Sequence, residues 1–180
     1  MTHVLTAQPT GTITLQTTLT SDRPIRVQWL AAPVLPAPQS GEMIDVHGKW
    51  VGEFHLIHSP WSPGIRLREA RTGRSGHEHP PYLILAGNGC TYTRGEALAL
   101  HYAWSGGHRM VAEELPDGRR QVQFGHASGA ETEAGTAFES AELIAAASTV
   151  GLNGIGAAFQ RDLRDRVVQW PDAKRLRSVH

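Results

Sequence analysis

Residues Arg109–Phe124 decide the fold and read RMVAEELPDGRRQVQF. Two runs of alternating polar and apolar side chains, Arg109–Glu114 and Arg119–Phe124, flank the four residues Leu115–Gly118. In this linking segment proline fixes φ, aspartate can cap the turn with its carboxylate, and glycine accepts a positive φ. The stretch therefore predicts a β-hairpin and, with it, antiparallel sheet structure.

The same alternation recurs along the first 150 residues. It appears at Ile13, Leu15 and Leu19 and again over Ile25–Trp29, after a predicted turn at Ser21–Pro24. Period-two patterns of this kind are typical of half-buried strands. Further strands are predicted at Met43–Val46, Glu53–His58, Ile65–Ala70, Tyr82–Leu85, Glu96–Trp104 and Ala137–Ala147.

No helical pattern interrupts these strands. Three prolines in Ala32–Pro38 would remove ladder donors, so we expect an extended loop or an edge there. Many short strands joined by glycine- and proline-rich turns favour a mainly β fold, an antiparallel β-sandwich.

The pattern changes near Gly151. Leu152, Ile155, Phe159 and Leu163 recur at spacings of three and four, which predicts one amphipathic helix that ends at Trp170-Pro171. The polar, basic tail that follows reads as a linker. We therefore expect a sandwich domain over residues 1–150 and a C-terminal linker helix with its tail over 151–180.

Composition excludes several classes of function. Seventeen Lys and Arg residues balance seventeen Asp and Glu residues, which argues against a sequence-independent nucleic-acid partner. No apolar run approaches the roughly 20 residues of a membrane span, and the N-terminus lacks the pattern of a signal peptide. The single cysteine, Cys90, cannot form an internal disulfide, so we expect a cytoplasmic protein.

The closest histidine pairs are weak candidates for a metal site. On a strand, His55 and His58 would face opposite ways. His77 and His79 would share a face, but the prolines that follow them predict a loop. We therefore expect hydrogen-bonding histidines, no metal and no cofactor.

Paired carboxylates, which glycosidic chemistry uses, are also absent from the pattern. Glu113 and Glu114 are adjacent on a strand and would point to opposite faces. Glu131 and Glu133 could share a face, but they lie in a loop rich in Gly, Ala and Thr. We therefore assign no catalytic residue.

Three tryptophans could offer stacking platforms for sugar rings, namely Trp50, Trp61 and Trp104. Burial in the core is the commoner use of such a residue in a β domain. Trp61 lies in the rigid segment SPWSPG of residues 59–64, which makes it the best candidate of the three for contact with a ligand or partner.

Two longer segments resemble glycoside hydrolase family 36, the bacterial α-galactosidases. Residues Gly64–Leu83, GIRLREARTGRSGHEHPPYL, resemble the family's G…R-G-x-S-x-H-x-x-P-x-L stretch. Residues Gly95–His108, GEALALHYAWSGGH, are similar to its G-E-x-x-x-x-x-L-x-Y-S-G-N strand. Trp104 stands where the family usually has Tyr or Val, and Gly107-His108 replaces the common Asn-Phe. With later segments matching in order, the resemblance covers roughly residues 12–180.

The resemblance implies the second part of the family's N-terminal supersandwich, followed by a helix that leads into a catalytic (β/α)8 barrel. The family's two catalytic aspartates lie in that barrel, and no position here matches either motif. The parent enzyme would cleave terminal α-galactosides with retention and without a cofactor. This segment would support the barrel, help to build a homo-oligomer and border the sugar pocket, and the α-galactoside would bind through the barrel.

Arg74, His77 and His79 are then the best candidates for a domain-contact loop, because prolines stiffen it. Trp61 and Trp104 remain the candidates for sugar or partner contact. Two other readings stay open, a free-standing carbohydrate-binding module and a purely structural assembly domain. The first would need exposed aromatic side chains on one sheet face or loop rim.

Overall fold

A computed structural model describes residues 1–38 and 41–169 of the 180-residue chain. Within them, twelve strands precede one helical segment near the C-terminus. The strands are β1 (Thr2–Ala7), β2 (Ile13–Ile25), β3 (Leu35–Pro36), β4 (Glu42–Lys49), β5 (Gly52–Pro60), β6 (Gly64–Ala70), β7 (Tyr82–Ala86), β8 (Ala97–Tyr102), β9 (His108–Glu114), β10 (Arg120–His126), β11 (Gly135–Glu139) and β12 (Leu143–Ser148). The helix α1 spans Leu152–Asp162 and continues as a π-helical turn over Leu163–Val167.

The strands form two sheets whose ladders are antiparallel. The larger sheet has eight strands in the order β1-β2-β12-β8-β7-β4-β5, with β11 also paired to β2. The smaller sheet has four strands in the order β3-β10-β9-β6. This arrangement confirms the mainly β, antiparallel sandwich and the single C-terminal helix that the sequence predicts.

The core lies between the two sheets. Leu83 and Leu100 of the larger sheet meet Met110 and Phe124 of the smaller sheet, and all four are almost completely buried. Because strand side chains alternate between faces, the intervening residues of the larger sheet point outward. The helix covers that outer face.

The packing of α1 explains why β7 is apolar at nearly every position. Ile84 points away from the sandwich core and packs with Ile44 and with Ile155 of α1. The middle of the larger sheet is therefore buried on both faces, as continuous apolar strands require.

The helix ends earlier than its sequence pattern suggests. The backbone becomes extended at Val168, whose amide donates to the Leu163 carbonyl and closes the π-helical turn. The predicted stop at Trp170-Pro171 and the predicted linker tail lie outside the described residues. The division of the chain at residue 150 stays a prediction.

The predicted turn at Ser21–Pro24 is wrong. β2 continues through it to Ile25, but β11 pairs Gly135 with Ile25 and Ala137 with Thr20, so residues 21–24 lie in an irregular part of the ladder. The strand predicted over Ile25–Trp29 consequently stops at its first residue. Trp29 instead donates from Nε1 to the His126 carbonyl at 2.8 Å.

The single strand predicted over Ala137–Ala147 is also two strands, β11 and β12. The break falls at Ser140, whose amide donates to the Thr17 carbonyl and whose hydroxyl accepts from the Thr17 amide. The proline-rich segment Ala32–Pro38 behaves as expected, because its short strand β3 forms an edge of the smaller sheet.

Candidate functional site

The predicted domain-contact loop forms one wall of a cavity. Arg74, His77 and His79 line a space of about 680 Å³ at one end of the sandwich, together with Glu69 and with Phe54 of β5. The structure thus brings the three predicted side chains to a single surface. Their function in domain contact stays a prediction.

Ser75 fixes this loop to the end of β8. Its amide donates to the Ser105 carbonyl at 2.6 Å, and its hydroxyl donates to the Trp104 carbonyl at 2.9 Å. The loop and the turn after β8 therefore form one connected rim, although they are about 30 residues apart in sequence.

Charge on the rim is fixed by burial and ion pairing. Burial raises the pKa of the Glu69 carboxyl, but hydrogen bonds from Arg71 at 2.6 Å and Arg109 at 2.9 Å outweigh it, and the pKa lies below its usual range. Burial, aided by the Arg68 charge, lowers the pKa of His79. Its ring lies 5.2 Å from the ring of His47, and its buried Nδ1 atom has no hydrogen-bond partner among the described residues.

Trp104 is already engaged in packing. Its ring stacks on His126 with centroids 4.5 Å apart, and its Nε1 donates to the Gly107 carbonyl at 3.1 Å. His126 in turn pairs with Glu131 at 2.5 Å between Nδ1 and Oε1. Trp104 keeps 39% of its surface exposed, so only part of the ring can meet a partner.

Trp61 is less accessible than its loop suggests. It is partly buried, packs against the sandwich core, and carries the Arg120 guanidinium 5.2 Å from its ring centre. Its function in binding stays a prediction.

Among the tryptophans of the described residues, Trp50 is the most exposed, although the sequence favours Trp61. Trp50, at the tip of the β4–β5 hairpin, is 85% exposed, and Val51 and Phe54 beside it are 84% and 66% exposed. Val51 and Phe54 also have positive φ values, 69° and 58°, which are unusual for side chains with bulky groups. Neighbouring apolar side chains at a hairpin turn are the sequence signal for this exposed group. Of the three residues, Trp50 alone is among the predicted candidates.

A second apolar surface lies beside α1. A groove of about 580 Å³ is lined by Tyr82 and His101 of the sheet, by Phe159 of the helix, and by Leu163 and Val167 of the π-helical turn. The three aromatic rings contact one another edge to face. Burial raises the pKa of Tyr82 to about 12 and lowers that of His101.

Three of the four acidic residues considered for glycosidic chemistry are occupied in structural contacts. Glu113 accepts from Gln121 at 2.6 Å, Glu114 pairs with Arg120 at 2.7 Å, and Glu131 pairs with His126. Among the described residues, no group of three or more His, Cys, Asp or Glu side chains is arranged to hold a metal. In that same part of the chain, the helices are too short or too polar to cross a membrane.

Comparison with known proteins gives one consistent family. Residues 1–131 match the model of the glycosyl hydrolase family 36 N-terminal domain. The chain is 34% identical over 184 aligned residues to an alpha-galactosidase of Escherichia coli, an alignment that covers 98% of this chain and 25% of that protein. It is 29% identical over 119 residues to a probable alpha-galactosidase G of Emericella nidulans, covering 66% of this chain and 16% of that protein.

Solved structures agree with the fold. The galactosidase domain of the alpha-galactosidase-sucrose kinase AgaSK superposes with a TM-score of 0.74 at 24% identity, over 87% of this chain and 22% of that one. The family 36 alpha-galactosidase AgaA of Geobacillus stearothermophilus gives a TM-score of 0.77 at 20% identity, over 88% of this chain and 23% of that one. The chain thus spans about a quarter of the length of the curated relative of E. coli and of these two structures.

Proposed function

Because the chain belongs to glycosyl hydrolase family 36 as its N-terminal domain, we propose that it is a non-catalytic accessory domain of a retaining α-galactosidase. The observation that carries this proposal is the alignment with the E. coli enzyme, which spans nearly all of this chain but only a quarter of that protein. The parent would hydrolyse terminal α-galactosides, and this domain would meet the substrate only through the catalytic barrel. We also propose a cytoplasmic location, since a single cysteine leaves the fold independent of disulfides.

The structural use of two carboxylates supports the proposal of a non-catalytic domain. Retaining glycosidases place two carboxyl groups about 5–5.5 Å apart, one as nucleophile and one as acid and base. Here Glu114 is held by Arg120, and Asp162 is held by Arg166. Both serve as ion-pair partners, and both side chains are largely buried.

The groove beside α1 supports a role in carrying the barrel. Val167 lines the groove, and the backbone leaves the helical segment in an extended conformation at the next residue. The described part of the chain therefore ends beside this apolar surface. We propose that the barrel packs over Phe159 and Leu163, which would remove apolar surface from water.

The β4–β5 hairpin tip supports assembly of a homo-oligomer. Trp50, Val51 and Phe54 form an exposed apolar group on a hairpin that projects from the edge of the larger sheet. Tryptophan and phenylalanine are the kinds of side chain that anchor interfaces. We propose that this tip contacts a second copy of the chain or of its parent.

A carbohydrate-binding module is the rival function, and the exposed ring of Trp50 is the observation that favours it. Titration with galactose or raffinose, followed by tryptophan fluorescence, separates the two. An accessory domain gives no saturable change, whereas a binding module gives saturable quenching that Trp50→Ala abolishes. An α-galactoside assay on the same sample gives no turnover if the chain is non-catalytic.

A further inference from the structure

Arg66 carries a charge for which the described residues offer no partner. It lies on β6, directly opposite Ala112 of β9, and Ala112 is 1% exposed in the sandwich core. Residues directly opposite each other in an antiparallel pair point to the same face. The Arg66 side chain therefore points toward the space between the sheets.

The guanidinium of Arg66 is partly buried. Its Nη1 atom is buried and has no hydrogen-bond partner among the described residues. A charged group that loses hydration without gaining a partner is costly, so natural proteins usually supply one. The Nη1 atom of Arg66 can therefore still donate a hydrogen bond to an acceptor that a ligand supplies.

The neighbouring arginines are already neutralised. Arg68 donates from Nε to Asp45 at 2.9 Å, and Asp45 is 4% exposed. Arg120 pairs with Glu114 at 2.7 Å. One positive charge, that of Arg66, is therefore left over in this part of the described chain.

A cleft gives a ligand access to Arg66. Its volume is about 340 Å³, and it lies between Met43 of β4 and residues Gly64–Arg68 of β6, with Trp61 and Ser62 also in its lining. It opens to solvent because β6 is the edge strand of the smaller sheet. Its size is at the lower end of the roughly 300–1,000 Å³ found for small-molecule sites.

We propose that this cleft, defined by Trp61, Ser62, Arg66 and Arg68, binds a small hydroxylated carboxylate of the sugar-acid class. A single uncompensated guanidinium matches one carboxylate, because the two planar groups can form parallel hydrogen bonds. The Ser62 hydroxyl and the backbone of the Pro63-Gly64 turn provide polar atoms for ligand hydroxyl groups. The site is separate from the groove beside α1 and from the β4–β5 hairpin tip.

An inward-pointing charge on an edge strand has another known use. It can prevent a second strand from adding to the edge, and in that case it needs no ligand. The two interpretations differ in what the removal of Arg66 changes. If Arg66 only protects the edge, its removal increases aggregation and leaves the binding of carboxylate ligands unchanged. If Arg66 belongs to a ligand site, its removal abolishes that binding.

The test is calorimetric titration of the 180-residue chain with D-galacturonate at low salt, with neutral D-galactose as the matched ligand. We expect saturable binding of galacturonate only. Arg66→Gln should weaken it roughly tenfold or more, because a charge-assisted pair is lost. Arg164→Gln removes the same charge from the helix on the opposite face and should leave the affinity unchanged.

A second measurement covers the case in which the variant is poorly folded. Since the buried Arg66 charge has no described partner, Arg66→Gln should leave the melting temperature unchanged or raise it, and a lower melting temperature would identify a poorly folded variant. On the unaltered chain, 0.5 M NaCl should weaken galacturonate binding, because salt screens the charge. The proposal is overturned if galacturonate does not bind saturably, if galactose binds equally well, or if a folded Arg66→Gln variant binds unchanged.

Discussion

Thr10 donates a hydrogen bond to Asp162 across 152 positions of the chain, with 2.7 Å between Oγ1 and Oδ1. Thr12 donates to the same oxygen at 2.9 Å, and Arg166 pairs with the other oxygen at 2.9 Å. Asp162 is 2% exposed, so these donors replace its hydration entirely. The residue joins the end of α1 to the segment between the first two strands.

Replacement of Asp162 should therefore loosen the helix from the sheet. In Asp162→Asn the new side-chain NH2 group faces the Arg166 guanidinium, which is also a donor. The substitution also removes the negative charge that Thr10 and Thr12 stabilise by hydrogen bonding. We expect the free energy of unfolding to fall by about 3 kcal/mol, measured by urea denaturation. Asp165→Asn, in an exposed pair with Arg164, is the control and should leave the midpoint unchanged. Equal effects of the two variants would contradict this account of helix docking.

The start of α1 depends on a glycine. Gly151 has φ 79° and ψ −170°, a conformation that is essentially restricted to glycine. A Cβ added there would lie 2.4 Å from the Thr91 carbonyl oxygen. Gly151→Ala should cost about 3 kcal/mol of unfolding free energy, from strain and overlap together.

Gly156, within the same helix, provides the matched control. No heavy atom lies within 4 Å of the position that its Cβ would take. Gly156→Ala should therefore stabilise the chain by about 1 kcal/mol, the usual gain in helix propensity. If both glycine variants shift the denaturation midpoint in the same direction, the helix does not begin as described.

Stability should fall as the solution becomes mildly acidic. Burial lowers the pKa of His79, His101 and His108 in the folded chain. The unfolded chain then binds more protons below its histidine pKa of 6.5, so the free energy of unfolding decreases from that pH downward. The pKa of Glu69 is lowered instead, so its contribution is lost only below pH 4.5.

The measurement is the melting temperature between pH 8 and pH 5. His108→Asn should reduce the slope in this range, because it removes a fully buried titrating group. Comparison of the variant with the unaltered chain at pH 8 separates lost packing from lost protonation. Equal stability at pH 8 and pH 5 would show that these rings are not held in their neutral form.

The backbone of the β4–β5 hairpin tip is strained at Val51, and substitution there measures the cost of the strain. Its φ of 69° is costly for a β-branched residue. Val51→Gly should stabilise the chain by about 1 kcal/mol, whereas Val51→Ala keeps a side chain in the strained region and should gain less. A lower melting temperature for the glycine variant would contradict the strain.

Association should depend on the same tip. Trp50→Ser changes a side chain that is 85% exposed, so folding should be unaffected. Sedimentation velocity over a range of concentrations should show weaker self-association than for the unaltered chain. The exposed Lys49→Ser is the neighbouring control, and loss of association in that variant alone would argue against an apolar contact.

The sequence predicted the fold class well because alternation is a local signal. The hairpin around Leu115–Gly118 forms as expected, with the pair Glu114 and Arg120 next to the turn. The break at Ser140 depends on contacts with Thr17, which is more than 120 residues away, and no local pattern contains that information. β1 was not predicted either, since all six of its residues are exposed and it forms by pairing with β2.

The candidate sites were harder to predict for the same reason. Arg74, His77 and His79 do line one cavity, which their closeness in sequence suggested. The burial of Trp61 depends on the opposite sheet and on Arg120 from a distant strand. The unpartnered charge of Arg66 is likewise visible only when both sheets are in place.

The central claim is that this chain supports catalysis without performing it. Its most direct test is the hydrolysis of p-nitrophenyl α-D-galactopyranoside by the purified 180-residue chain, followed over hours at high protein concentration. We expect a rate of hydrolysis equal to that in buffer alone. Turnover that rises in proportion to protein concentration, and that survives further purification, would contradict it.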